Sequence, residues 1–135
     1  MNLILTRAET EVLIVHLHVM RKNIKTVLKR NYGNGEGKRL LKVYDKVKDE
    51  LKDKLKFLEA EKGFPFVFNR EEIDLIYSFL QIFFQKIELE MKNKISIQSE
   101  REKVKNNLKM DYLVQVREKI NLIYIQLKVG ELNGI

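Results

Sequence analysis

Along four stretches of the chain, apolar side chains recur every three or four positions, the spacing of one face of an α-helix. The first stretch, about 7–31, places Leu13, Leu17, Met20, Ile24 and Leu28 on one face, and Val12, Val15 and Val19 widen it. The second, about 38–61, turns Leu40, Tyr44, Val47, Leu51, Leu55 and Leu58 inward. The third, about 70–93, is apolar around most of its circumference, from Ile73 through Leu75, Ile76, Tyr77, Phe79, Leu80, Ile82, Phe83 and Phe84 to Ile87. The fourth, about 100–129, carries Val104, Leu108, Leu113, Val116, Ile120, Ile123 and Leu127 and stops at Gly130. Short β-prone runs at 2–5 and 64–68 lead into the first and third stretches.

Start and stop signals agree with these boundaries. Thr6 with Glu9, Asn69 with Glu72, and Ser99 with Glu102 each have capping-box spacing, in which side chain and backbone satisfy one another's free amides. Phe68 is placed to staple onto Ile73. Gly33 suits the left-handed residue that ends a helix. Residues 31–37, with three glycines, read as a flexible connection, and residues 94–98 as a linker. Gly63 and Pro65 stop the second helix.

The expected fold is all-α, a single domain over residues 1–135. Four long helices form two antiparallel hairpins, a helical bundle, with a minimal two-stranded β ribbon from residues 2–5 and 64–68. Two strands alone are marginal, so the helices must support them. The halves 1–62 and 63–135 read as two strand-helix-helix units. Arg7/Arg70, Glu9/Glu72, Leu17/Leu80, Ile24/Ile87 and Lys29/Lys92 match between them, a thin identity that a pseudo-repeat or converging helix-start signals both explain.

Charge adds an asymmetry. The net charge is +7. Residues 21–39 hold Arg21, Lys22, Lys25, Lys29, Arg30, Lys38 and Arg39 against Glu36 alone, or +6, so nearly all the excess sits at the expected tip of the first hairpin. Lys92, Lys94, Arg101, Lys103, Lys105 and Lys109 make a weaker cluster at the second tip. With the hairpins side by side and parallel, both tips share one end, and the acidic helix starts (Glu9, Glu11, Glu71, Glu72, Asp74) gather at the other. Basic last turns and acidic first turns complement the helix dipole. The sharper reading is an anion-binding end made of the seven cations and Tyr32, with Tyr32 free to stack on a base.

Motifs for chemistry are weak. The run from Gly33 to Arg39 has glycines before a helix and a lysine, but a nucleotide loop needs a strand before it and Ser or Thr after the Lys. His16 and His18 are two apart on a helix and point in different directions, so they cannot share a metal. No Glu stands three before either His, which removes the di-metal bundle pattern. There is no cysteine, hence no disulfide or thiolate metal site. Asp45, Asp49 and Asp53 beside Lys48, Lys52 and Lys56 form a solvated, salt-bridged face. The helices are too long for a helix-turn-helix.

These readings lead to an expectation of a non-catalytic helical interaction or regulatory protein, without metal, cofactor or evident small-molecule substrate, that forms a homodimer and binds a protein partner. The candidate interface is the aromatic stripe Tyr77, Phe79, Phe83 and Phe84, because the third helix offers more apolar area than a bundle buries. The alternative is nucleic-acid binding through the basic tip. No stretch is apolar enough to span a bilayer, no signal peptide is evident, and the composition suits a cytoplasmic protein. Abundant Lys, Ile and Asn suit an AT-rich genome, as in small helical proteins of bacteria and their mobile elements.

Overall fold

The computed structural model describes residues 1–94 and 97–133. Residues 95 and 96 of the expected linker lie outside the described residues. In chain order the elements are β1 (Asn2–Leu5), α1 (Arg7–Leu55), β2 (Phe64–Val67), α2 (Arg70–Lys94), α3 (Gln98–Asn107) and α4 (Met110–Asn133). The fold is all-α with a small two-stranded sheet, as the hydrophobic pattern requires.

The first hairpin is α1 itself. Its helical run is broken at Gly33, where φ is 83° and ψ is 179°. A residue with a Cβ rarely adopts such a conformation, so glycine makes the turn possible. The two arms then run back along each other. The Tyr44 hydroxyl donates to the Leu17 carbonyl. The Arg21 guanidinium meets Asp45 through two parallel bonds of 2.8 and 2.7 Å. Gly37 packs so closely on the first arm that a Cβ there would lie 3.1 Å from the Leu28 carbonyl oxygen and the Lys29 backbone. Residues 31–37 are therefore not the flexible connection the glycines suggest. One glycine makes the turn and another permits the close approach.

The ribbon is antiparallel, pairing Leu3 with Phe66 and Leu5 with Phe64. Met1 extends it: its amino group donates to the Phe68 carbonyl at 3.0 Å, and its own carbonyl accepts from the Phe68 amide at 2.9 Å. Leu3, Leu5, Phe66 and Phe68 are buried beneath it.

Two of the three capping boxes form. Thr6 and Glu9 exchange bonds of 2.8 and 3.2 Å, and Asn69 and Glu72 exchange bonds of 2.9 and 2.8 Å. Both glutamates also reach another helix. Glu9, only 2% exposed, accepts from Lys119 at 2.5 Å, and Glu72 lies 3.7 Å from Lys46. The third box does not form: α3 begins at Gln98, behind Ile97, which has no side chain to cap with. The second arm of α1 ends at Leu55 rather than near 61. The chain then turns so that Leu58 is buried and its carbonyl accepts from Arg7 at 3.4 Å.

The expected fourth helix is split. Lys109 takes a left-handed φ of 54° and separates α3 from α4. α3 buries no residue. In α4, Met110, Leu113, Val116 and Ile120 reach the core. Arg117 lies over the Phe84 ring, and Tyr124 meets Tyr77 and Asp74 further back along α2. The contacts step in opposite senses, so α2 and α4 run antiparallel.

Candidate functional site

The basic tip is the first candidate, and the structure divides its residues. Arg39 is claimed on both sides: Glu36 receives two of its bonds, the shorter 2.5 Å, and Glu71 receives two more at 2.9 and 2.8 Å. Hydrogen bonds from Arg39 hold both carboxyls below their ordinary range, and those bonds to Glu36 and then Glu71 raise the guanidinium in turn. Arg21 likewise depresses Asp45. The contact with Glu71 also corrects the expected layout. The acidic start of α2 abuts the basic tip of α1, so the hairpins are not parallel with acids gathered at the far end. Opposite charges close this end.

Removing Arg21 and Arg39 from the seven basic residues leaves Lys22, Lys25, Lys29, Arg30 and Lys38. All five are exposed, and none forms an ion pair with another described residue. Lys22, Lys25 and Lys29 follow at three- and four-residue steps and share one side of the first arm. Tyr32 stands at the turn, 57% exposed.

The aromatic stripe of α2 is placed differently from the sequence expectation. Phe79, Phe83 and Phe84 are buried inside the chain, and Tyr77 is half-buried against Tyr124. Phe79 stacks with Phe83 and meets the edge of Tyr44; His16 tilts against Phe83. The apolar excess of α2 is thus absorbed by α1 and α4, and these phenylalanines offer no free docking face.

Among the described residues, several apolar side chains stay exposed, Ile4 and Val67 on the outer face of the ribbon among them, and two places gather them on a helix. The first is a groove of about 590 Å³ between the first arm of α1, α2 and the joint between α3 and α4. Val15 and Val19 stand on its wall, 56% and 69% exposed. The second is the far half of α4. From Asn121 to Glu131 no residue is fully buried, and Leu122, Ile125 and Val129 form one stripe at 58%, 58% and 48% exposure. The sequence carried a signal for the first, in the valines that widen the face of α1. For the second, Leu122, Ile125 and Val129 repeat at helical spacing beside the Ile120, Ile123 and Leu127 face, which marks a helix apolar on both sides.

His18 is exposed and His16 is buried, so the two do not converge. Among the described residues, no group of three or more His, Cys, Asp or Glu is arranged to hold a metal ion, and no helix is long and apolar enough to cross a membrane. Comparison with protein-family models, with curated proteins and with solved structures gives no match.

Proposed function

We propose that this is a non-catalytic interaction protein that self-associates, and that the far half of α4 is the surface it uses. The observation that carries this reading is the Leu122, Ile125 and Val129 stripe on a helix whose opposite side already packs inward. A helix apolar on all sides belongs in an interior, and here one side has only solvent. Twofold pairing is the commonest way for a chain to cover such a stripe. The absence of cysteine suits a reducing compartment such as the cytoplasm.

Size-exclusion chromatography with light scattering tests the proposal. The wild type is expected at dimer mass and Ile125→Glu at monomer mass, with helicity by circular dichroism unchanged because Ile125 is exposed. A wild-type monomer at high micromolar concentration would refute self-association.

A second reading rests on the row Lys22, Lys25 and Lys29 with Arg30 and Lys38. Five exposed cations with no ion-pair partner among the described residues suit a phosphate backbone, and Tyr32 beside them can stack on a base. In that case the purified protein carries absorbance at 260 nm that disappears in 1 M salt.

A further inference from the structure

We infer that the groove between the first arm of α1, α2 and the α3–α4 joint is a binding site for an uncharged apolar molecule bearing one hydrogen-bond donor, such as a hydroxyl. The proposal is independent of self-association through α4, since it involves different residues.

Size and lining come first. A volume of about 590 Å³ falls within the roughly 300–1,000 Å³ of small-molecule sites. Val12, Val15, Val19, Met20, Phe83 and Ile87 provide an apolar wall. Its charged residues are two acids, Glu11 and Glu90, and two bases, Lys86 and Lys109. They cancel, so the groove selects neither a cation nor an anion.

His16 supplies the polar feature. It is 7% exposed and lines the groove. Its Nε2 lies 2.8 Å from the Leu108 carbonyl oxygen. A carbonyl only accepts, so Nε2 carries the hydrogen, and in the neutral ring Nδ1 is then a bare acceptor. Nδ1 has no hydrogen-bond partner among the described residues. Yet among the described residues no sealed side-chain nitrogen or oxygen lacks a partner. Nδ1 therefore keeps an opening, and the space that His16 borders is the groove. A lone acceptor in an apolar wall is complemented by a donor on an otherwise apolar ligand.

The joint gives the site its shape. Leu108, whose carbonyl holds His16, and Lys109, with its left-handed backbone, both border the groove. Positive φ at a residue with a side chain is strained, and such residues concentrate at functional sites.

The test uses 1-octanol, which has a hydroxyl donor, and 1-methoxyoctane, which has none. Both are titrated against the full chain by ligand-observed NMR and calorimetry. The expected result is one saturable site that prefers the alcohol about fivefold, the worth of one hydrogen bond. His16→Gln retains an amide donor for the Leu108 carbonyl but has no atom at the Nδ1 position. It should abolish the preference while leaving ether binding unchanged. Val19→Glu, at an exposed position, should abolish binding of both probes without loss of helicity. Absence of saturable binding by either probe overturns the site. Equal binding of the two by wild type overturns the role of His16, and undiminished binding by Val19→Glu overturns the groove as its location.

Discussion

Val15, Lys22 and Lys29 stand seven residues apart on the first arm of α1 and so share one face, but they meet different surroundings. Val15 borders the apolar groove at the base of the arm, and the lysines stand in solvent toward the tip. The fastenings differ in the same way. At the base, Glu9 is 2% exposed and binds Lys119, and it also closes the capping box of α1. At the tip, Arg39, Glu36 and Glu71 are each 43–49% exposed. The base is held by a buried charge with fixed partners, the tip by charges that water also solvates. Burial, more than the number of ion pairs, decides what each is worth.

The largest effect is expected at the base. Glu9→Ala removes the carboxylate that accepts from the Thr6 amide, keeps the Thr6 hydroxyl bond to the backbone of residue 9, and leaves Lys119 without its partner. Loss of half the capping box and of a largely buried pair together should lower stability by about 2–3 kcal/mol, or roughly 10 °C in Tm. Glu9→Gln retains a capping side chain and loses only the charge, so it should cost less. Equal effects from the two variants in thermal unfolding would show that the Lys119 contact, and not the cap, carries the stability.

Next comes the turn that joins the two arms at the tip. Gly33→Ala places a Cβ at φ 83°, with an expected cost of about 2 kcal/mol. Gly35→Ala is the control, because no atom lies within 4 Å of a Cβ there. It should be neutral or slightly stabilising. A cost at Gly35 equal to that at Gly33 would mean that residues 31–37 are more sharply constrained than one broken helical turn requires.

Much of this architecture is legible in the sequence, because apolar spacing and capping residues are local signals. The spacing of Leu13, Leu17, Met20, Ile24 and Leu28 marks the buried face of α1, and Thr6/Glu9 and Asn69/Glu72 mark the starts of α1 and α2. The features that proved illegible depend on partners far along the chain. Arg39 looks free in sequence, since nothing near it reveals that Glu71 will reach it. Phe79, Phe83 and Phe84 look like surplus until α4 and the first arm of α1 are laid against them. Three glycines in seven residues look flexible, although Gly37 is there to let two helices touch. Lys109 gives no local sign of breaking a helix, so the groove walled by that break is visible only in three dimensions.

A smaller effect on stability, with a larger one on binding, is expected along the cationic row. Lys22, Lys25 and Lys29 changed together to Gln should alter stability by no more than about 0.5 kcal/mol, as exposed substitutions do. If the protein binds nucleic acid, the slope of log affinity against log salt should flatten by about 3. An unchanged slope would place the contacting cations elsewhere and leave this row as a solubilising face.

The smallest expected effect is at the tip itself, and acid should reveal it. Glu36 and Glu71 have carboxyls held below the ordinary value of 4.5 by hydrogen bonds from Arg39. In the unfolded chain these groups take up protons at a higher pH than in the folded one, so the unfolded state gains protons first as pH falls. The stabilisation is therefore present above pH 4.5 and lost as pH drops through the depressed folded values. Arg39→Gln removes the cause of the depression. The difference in Tm between wild type and Arg39→Gln should be small at neutral pH, shrink further in 1 M salt because the groups are solvated, and vanish as pH falls through the depressed carboxyl values. The Glu9–Lys119 contact, sealed from solvent on the carboxylate side, should resist the same salt. If salt erases both differences alike, the contrast between a buried base and a solvated tip fails, and the two ends of the arm are fastened by the same kind of interaction.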